Sequence, residues 1–367
     1  MDIHNYEYKS KYHKYKSKYE SLIHISRANL NKYSDVKNCK INKKYNKCLG
    51  PIYLGGALPK RMKKLQKLKK ITICTYNIWS GQKFSSFSKL EKRLPYIVDE
   101  IVKDNPDIIC LQEMSQQAID YFKSRKEIFS EYFFFELEPD LREKGENKSL
   151  DIPFVLSKYK PRSVYKYMLE TNHVNWPFLV LEFPNLIVVN VQLQGGNKDS
   201  QGITEKTDIS SFSKCRIQQL KDIKNVLDSY KYDTNNVVFV GDLNFDPDTD
   251  PEKEELSKLG LKDAWRVSKF DEKGFTEDTT TNKMRWNIKH KRTRGRFDVI
   301  LFRGNKIKPT KIKMIGTQPV FTIDRNDYEF NKHITDNNLD FRFVKLTGDR
   351  IQYWPSDRFG LIAEFTM

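Results

Sequence analysis

The stretch NNVVFVGDLN, residues 235–244, holds four consecutive apolar residues, then a glycine, then Asp242 and Asn244. A short apolar run bounded by turn-forming residues reads as a buried strand. The same texture repeats on both sides of it, in ITICTYNI (71–78), DIICLQEM (107–114), NLIVVNVQL (185–193), RFDVILFR (296–303) and FGLIAEFTM (359–367). Helix-like segments, 88–104 and 213–230, lie between these runs. DTDPEKEEL (248–256) reads as a turn feeding an acidic first helical turn. Strands alternating with helices predict an α/β body whose sheets are buried under helices.

The runs share a second feature. Asn77, Gln112 and Glu113, Asn190 and Gln192, and Asp242 and Asn244 each close an apolar run; Asp298 opens one, and Ser356-Asp357-Arg358 precedes the last. Polar groups at strand ends of an α/β fold converge on one rim, where a ligand can sit. Carboxylates and amide oxygens, without a Cys or His cluster, suit a hard cation: Mg²⁺, with Mn²⁺ as a substitute. Mg²⁺ held this way usually also holds substrate phosphate, so the pattern points to metal-assisted phosphoryl chemistry. Each residue also has a plain structural reading. Glu113 can start a helix, Asn77 can sit in a turn, Asp242 and Asp357 can cap turns, and Asp298 can pair with a surface cation.

The 367 residues suffice for one large domain with extensions or for two ordinary domains. The formal charge is +17, and residues 1–70 carry +15 of it, with 19 Lys/Arg against 4 Asp/Glu. A basic arm (1–70) on a near-neutral body (71–367) suggests a polyanionic partner, most often nucleic acid; a solubilising tail is the plain alternative. Within the arm, Tyr8, Tyr12, Tyr15, Tyr19 and Leu22 form a heptad stripe. PKRMKKLQKLKK (59–70) sets Met62, Leu65 and Leu68 on one side of a basic helix, which a membrane surface can also accept. LGPIYLGGAL (49–58) reads as a linker. The five cysteines (39, 48, 74, 110, 215) fit no zinc spacing, and Cys74 and Cys110 read as core residues. No signal peptide and no apolar run of membrane-spanning length is visible, so an intracellular site, cytoplasmic or nuclear, is expected.

TYNIWSG (75–81), LQEM (111–114), VGDLNFDPD (240–248), RFDVILFR (296–303) and SDRFGL (356–361) follow one another in an order that resembles the endonuclease/exonuclease/phosphatase superfamily. The closer resemblance is to tyrosyl-DNA phosphodiesterase 2-like proteins, through CRIQQL (215–220) and the segment from Gly274 to Arg303. The resemblance spans about residues 71–367 and implies a four-layer α/β sandwich, two central mixed sheets flanked by helices. It implies Glu113 as principal Mg²⁺ ligand, helped by Asn77 and Asp357. Asp242 would orient or deprotonate the attacking water, and Asn244 would hold a phosphate oxygen. Asp298 stands where the family keeps the carboxylate that orients a catalytic His.

Three positions depart from that pattern. Asn190-Val191-Gln192 replaces Asn-x-His, Ser356-Asp357-Arg358 replaces Ser-Asp-His, and Glu277 replaces a Trp. Gln192 can donate to phosphate but cannot exchange a proton near neutral pH. Arg358 stays protonated, so it cannot be a base, yet it can stabilise a charged transition state. Two readings follow: a Mg²⁺-dependent phosphodiesterase acting on nucleic acid, or a catalytically inactive member that binds nucleic acid or phosphate ligands. Arg358 is expected to pair with Asp298 within about 5 Å. A second basic cluster, Lys289, His290, Lys291, Arg292, Arg294 and Arg296, can track a nucleic-acid backbone or form a solvated loop. Segment 303–352 reads as a substrate-specific insertion.

Overall fold

The structure, a computed structural model, describes residues 54–55, 69–80, 88–136, 152–169, 176–196, 211–230, 236–284, 294–336 and 346–367. Strands and helices are numbered in chain order. The first sheet has seven strands, ordered β1 (Leu54–Gly55), β4 (Phe133–Phe135), β5 (Ile152–Ser157), β3 (Ile108–Met114), β2 (Lys70–Asn77), β18 (Gly360–Thr366) and β14 (Lys308–Ile315). The second has six, ordered β10 (Lys262–Asp263), β13 (Asp298–Arg303), β9 (Asn236–Asp242), β8 (Leu186–Gln192), β7 (Trp176–Phe183) and β6 (Ser163–Leu169).

Each main sheet contains one parallel pair, β2 with β3 and β8 with β9, and the other pairs are antiparallel. A parallel pair needs a crossover. Helix α1 (Leu90–Val102) supplies the first crossover; α2 (Gln116–Ser124) and α3 (Lys126–Phe129) follow β3, and α4 (Ser211–Ser229) supplies the second. The helices pack on the outer faces. Leu94, Ile97 and Ile101 of α1 meet Cys74, Tyr76 and Ile109. Leu220, Ile223 and Leu227 of α4 meet Val189, Val237 and Phe239. Between the sheets, Ile71, Ile73, Ile108 and Cys110 face Val188, Val238, Val240 and Ile300. The result is the expected layering of helix, sheet, sheet, helix.

The rest of the chain decorates this sandwich. Short helices α5 (Lys253–Ser257) and α6 (Ala264–Ser268) follow β9, and a two-residue ribbon joins β11 (Glu277–Asp278) to β12 (Arg294–Gly295). The segment expected as an insertion begins with β14, an edge strand of the first sheet. It continues into a three-stranded sheet of β15 (Phe321–Asp324), β17 (Arg350–Tyr353) and β16 (Leu346–Thr347), with α7 (Tyr328–Asp336) beside it. Leu54–Gly55, within the stretch read as a linker, forms the edge strand β1 against Phe134 and Phe135. Cys74 and Cys110 are buried as free thiols. The heptad stripe of residues 8–22 lies outside the described residues. Among those described, no helix is long and apolar enough to cross a membrane.

Candidate active site

Side-chain alternation extends the inner core to a polar rim. Along β2 the inward row is Ile71, Ile73, Thr75, Asn77; along β8 it is Leu186, Val188, Asn190, Gln192; along β9 it is Val238, Val240, Asp242. The two sheets therefore deliver Asn77, Gln192 and Asp242 to one end of the interior. Strand β13 enters from the same end, and Asp298 is the register partner of Asp242.

Glu113 reaches this rim by a break in the alternation. Ile108, Cys110 and Gln112 point inward, so a regular strand would turn Glu113 to the helix side with Leu111. Instead the β3–β5 register shifts between Leu111 and Met114, and Glu113 adopts φ 55. This extra residue is a β-bulge, a device that re-aims a side chain. Glu113 Oε1 accepts hydrogen bonds from Asn77 Nδ2 at 2.7 Å and from Gln192 Nε2 at 2.9 Å.

Asn77 Nδ2 also donates to Asp242 Oδ2 at 2.9 Å, while its Oδ1 accepts from the Trp79 backbone at 3.0 Å. The amide nitrogen thus bridges two carboxylates, and direct metal ligation by Asn77 requires the amide to turn over. Asp242 Oδ1 accepts from the Asn244 backbone at 2.8 Å, and Asn244, itself at φ 55, anchors its amide on the Leu193 carbonyl at 2.9 Å. Gly241 makes this turn possible. Its φ is +141, and a Cβ there would lie 1.8 Å from the Val191 carbonyl oxygen. Asn190 sits deeper. Its amide donates to the Leu111 and Phe154 carbonyls, and its oxygen accepts from Gln112, so both ends tie the two sheets together.

Arg358 is buried among acids. Its Nε lies 3.2 Å from Glu277 Oε2, its Nη2 3.6 Å from Asp242 Oδ2 and its Nη1 3.9 Å from Asp298 Oδ2. Nη2 also donates to Asn244 Oδ1 at 3.3 Å, and the guanidinium carbon stands 4.9 Å from the centroid of the Phe297 ring. The expected approach to Asp298 is present, but Glu277 is the nearer partner. Burial works against the Arg358 charge, yet Asp242, Glu277, Asp298 and Asp357 outweigh it and raise its pKa. Asp298 is fully buried, and neither carboxylate oxygen has a hydrogen-bond partner among the described residues. Burial, then the facing Asp242, push its pKa well above the usual carboxylate range, with Arg358 opposing.

A set of buried polar side chains holds the loops that carry these groups. Arg93, on the inner stripe of α1, donates to the carbonyls of Ser88, Ile78, Trp79 and Pro355. It ties the end of β2 to the loop bearing Asp357. Burial lowers its pKa to about 10, against the opposing pull of Asp357. Ser356 Oγ donates to the Asn77 carbonyl at 2.7 Å, and Asn282 Nδ2 donates to the Ser356 carbonyl at 2.7 Å. Arg216 and Gln219 of CRIQQL grip the loop after β8, through the Gln194 and Gly196 carbonyls and the Gln194 amide. Of the second basic cluster, Arg296 is buried against Asp248 and Asp263, Arg294 lies by Asp278, and the other four positions lie outside the described residues.

The family model of the Endonuclease/Exonuclease/phosphatase family matches residues 74–357. The chain belongs to this family. Among solved structures, a humanized TDP2 of D. rerio aligns with TM-score 0.55 at 18% identity, over 82% of this chain and 100% of that one. D. rerio TDP2 complexed with a single-strand DNA product aligns with TM-score 0.54 at 18% identity, over 81% of this chain and 99% of that one. A mannosyl-6-phosphatase of Bacteroides thetaiotaomicron aligns with TM-score 0.54 at 12% identity, over 81% of this chain and 100% of that one. The comparison with curated proteins gives no match.

For an endonuclease/exonuclease/phosphatase chain the charge balance of the rim matters. Asp242, Glu277, Asp298 and Asp357 act on Arg358, and Glu113 with Asp357 acts on Arg93. Five acidic side chains thus face two guanidinium groups, and even with the Asp298 carboxyl neutral the acids outnumber the cations. That excess of negative charge suits a divalent cation. No group of three His, Cys, Asp or Glu side chains poised around a metal occurs among the described residues. The donor set fits an open site of one or two carboxylates completed by water and phosphate rather than a closed cage.

Proposed function

We propose that this chain is a Mg²⁺-dependent phosphodiesterase acting on nucleic acid. The observation that carries the reading is the joined network of Glu113, Asn77, Asp242 and Asn244, held across both sheets by hydrogen bonds of 2.7–2.9 Å. Glu113 and Asp357 would hold the cation, which would neutralise charge on the phosphoryl group during in-line displacement. Asn77 fixes the spacing between Glu113 and Asp242. Each Asp242 oxygen accepts one hydrogen bond from these partners and keeps a lone pair, so Asp242 can take the proton of an attacking water. Asn244, Gln192 and Arg358 offer N–H groups to the phosphate oxygens. The positive charge of residues 1–70 supports a nucleic-acid partner, and a fall in binding with added salt is expected of it.

One observation favours a second reading, an inactive member that binds phosphate ligands. Arg358 is only 3% exposed and lies against Asp242 and Asn244, where a substrate phosphate must enter. The test is cleavage of labelled oligonucleotides, including abasic and 5′-phosphotyrosyl ends, by the wild type and by the Glu113→Ala and Arg358→His variants with Mg²⁺. Wild-type cleavage that disappears in Glu113→Ala supports the enzyme. A silent wild type with an active Arg358→His variant would establish the inactive member.

A further inference from the structure

The two least expected residues of the site touch each other. Glu277 stands where the tyrosyl-DNA phosphodiesterase 2-like pattern has Trp and Arg358 where many relatives have His, and Glu277 Oε2 to Arg358 Nε, at 3.2 Å, is the shortest ionic contact of that guanidinium among the described residues. Both side chains are nearly excluded from solvent, at 4% and 3% exposure. The backbone fixes them as a pair. The Thr276 carbonyl accepts from the Phe359 amide at 2.7 Å, and Thr276 Oγ1 accepts from the Phe297 and Asp298 amides at 3.0 Å. Glu277 is also the register partner of Gly295 in the β11–β12 ribbon. One short segment therefore carries Glu277 and holds Phe359, next to Arg358, together with Phe297 and Asp298.

The contact decides which edge of the guanidinium is free to work. Glu277 takes the Nε edge, and the Phe297 ring covers one face. The Nη1 and Nη2 ends then face Asp298, Asp242 and Asn244, and Nη1 has no hydrogen-bond acceptor among the described residues. A guanidinium fixed by Nε presents its two terminal nitrogens as a planar fork, the geometry that binds a phosphate through two hydrogen bonds.

We propose that Glu277 is the positioning residue of Arg358: it holds the guanidinium by Nε so that the Nη fork meets the phosphoryl oxygens beside Asp242 and Asn244. The proposal rests on the phosphodiesterase reading above. It makes Arg358 a fixed cation oriented for phosphate, a role that a loosely held arginine would fill less well.

The experiment compares wild type, Glu277→Gln, Arg358→Ala and the double variant. Binding of inorganic phosphate with Mg²⁺ is followed by calorimetry, turnover by oligonucleotide cleavage, and folding by circular dichroism. Glu277→Gln is expected to weaken phosphate binding about tenfold and to lower kcat by about 10–100-fold, with KM changed less than threefold. The double variant is expected to match Arg358→Ala within about threefold, because Glu277 acts only through Arg358. That comparison stands even if Glu277→Gln alone folds poorly, since the double variant leaves neither of the paired charges buried. Phosphate binding by a folded Glu277→Gln variant equal to wild type would overturn the proposal. So would a double variant tenfold below Arg358→Ala. A wild type that binds phosphate but cleaves nothing would overturn only the phosphodiesterase reading, and loss of phosphate in Glu277→Gln would still uphold the positioning. A wild type that binds no phosphate would overturn both.

Discussion

Arg93 offers a direct test of how the rim is held. Its guanidinium donates to four carbonyls at 2.6, 3.0, 2.7 and 2.8 Å, and it is fully buried. Each such bond contributes about 1 kcal/mol net, and a buried carbonyl left without its donor costs at least as much. Arg93→Ala is therefore expected to lose about 4 kcal/mol. Arg93→Lys keeps a cation but carries one nitrogen in place of a planar fork, so it should lose about 2–3 kcal/mol. In a domain of about 300 residues that lowers Tm by roughly 3–5 °C. Urea unfolding of both variants, followed by tryptophan fluorescence, measures the loss. The same samples report function, because the carbonyls of Ile78 and Pro355 belong to the loops next to Asn77 and Asp357. Activity should fall in the lysine variant at temperatures where it remains folded. A lysine variant within 0.5 kcal/mol of wild type, a threshold set well below the ~1 kcal/mol of one bond, would refute the reasoning. Full activity in a destabilised variant would refute the link to the rim.

Two further outcomes follow from the same geometry. Gly241→Ala should cost at least about 3 kcal/mol in urea unfolding, because φ +141 is strained for alanine and its Cβ would strike the Val191 carbonyl; a loss under about 1 kcal/mol would show that the β8–β9 ladder yields easily. Asp298→Asn should stabilise the metal-free protein at pH 8 and lose that advantage near pH 4. The folded carboxyl keeps its proton to a higher pH than the unfolded one, so between the two values the folded state binds more protons and stability falls as pH rises, a penalty that asparagine avoids. Thermal melts at both pH values measure this, and an equal change at each would contradict it.

The fold was legible because six apolar runs, separated by two long helical segments, leave few other arrangements. Most of the rim was legible for the same reason, since Asn77, Gln192, Asp242 and Asp298 prolong inward rows of their strands. The bulge at Glu113 was not. DIICLQEM contains no glycine, proline or asparagine to announce it, and only the pairing of β3 with β5 creates it. Arg93 left a usable signal: it falls three residues after Leu90 and one before Leu94, on the apolar stripe of α1. The pairing of Glu277 with Arg358 also left one. An acid and a base had each replaced an uncharged or titrating ring, but 81 residues apart, and contact over that distance is set by tertiary structure. Arg296 reads in sequence as one of a solvent-facing basic run, but it is buried against Asp248 and Asp263, which lie far from it along the chain.

The position of β18 governs when this site can exist. Residues 360–366 pair on one side with β2 and on the other with β14, so they form an interior strand of the first sheet. Contact between Thr75 and Leu361 closes a loop of nearly the whole domain, which makes it a slow and late event in folding. Asp357 and Arg358 arrive on the same stretch, immediately before that strand. On a ribosome, Glu113 and Asp242 emerge first, yet the rim stays incomplete until the segment carrying Arg358 has left the exit tunnel and docked. Until that segment docks, the rim carrying Glu113 and Asp242 stands without the Arg358 guanidinium.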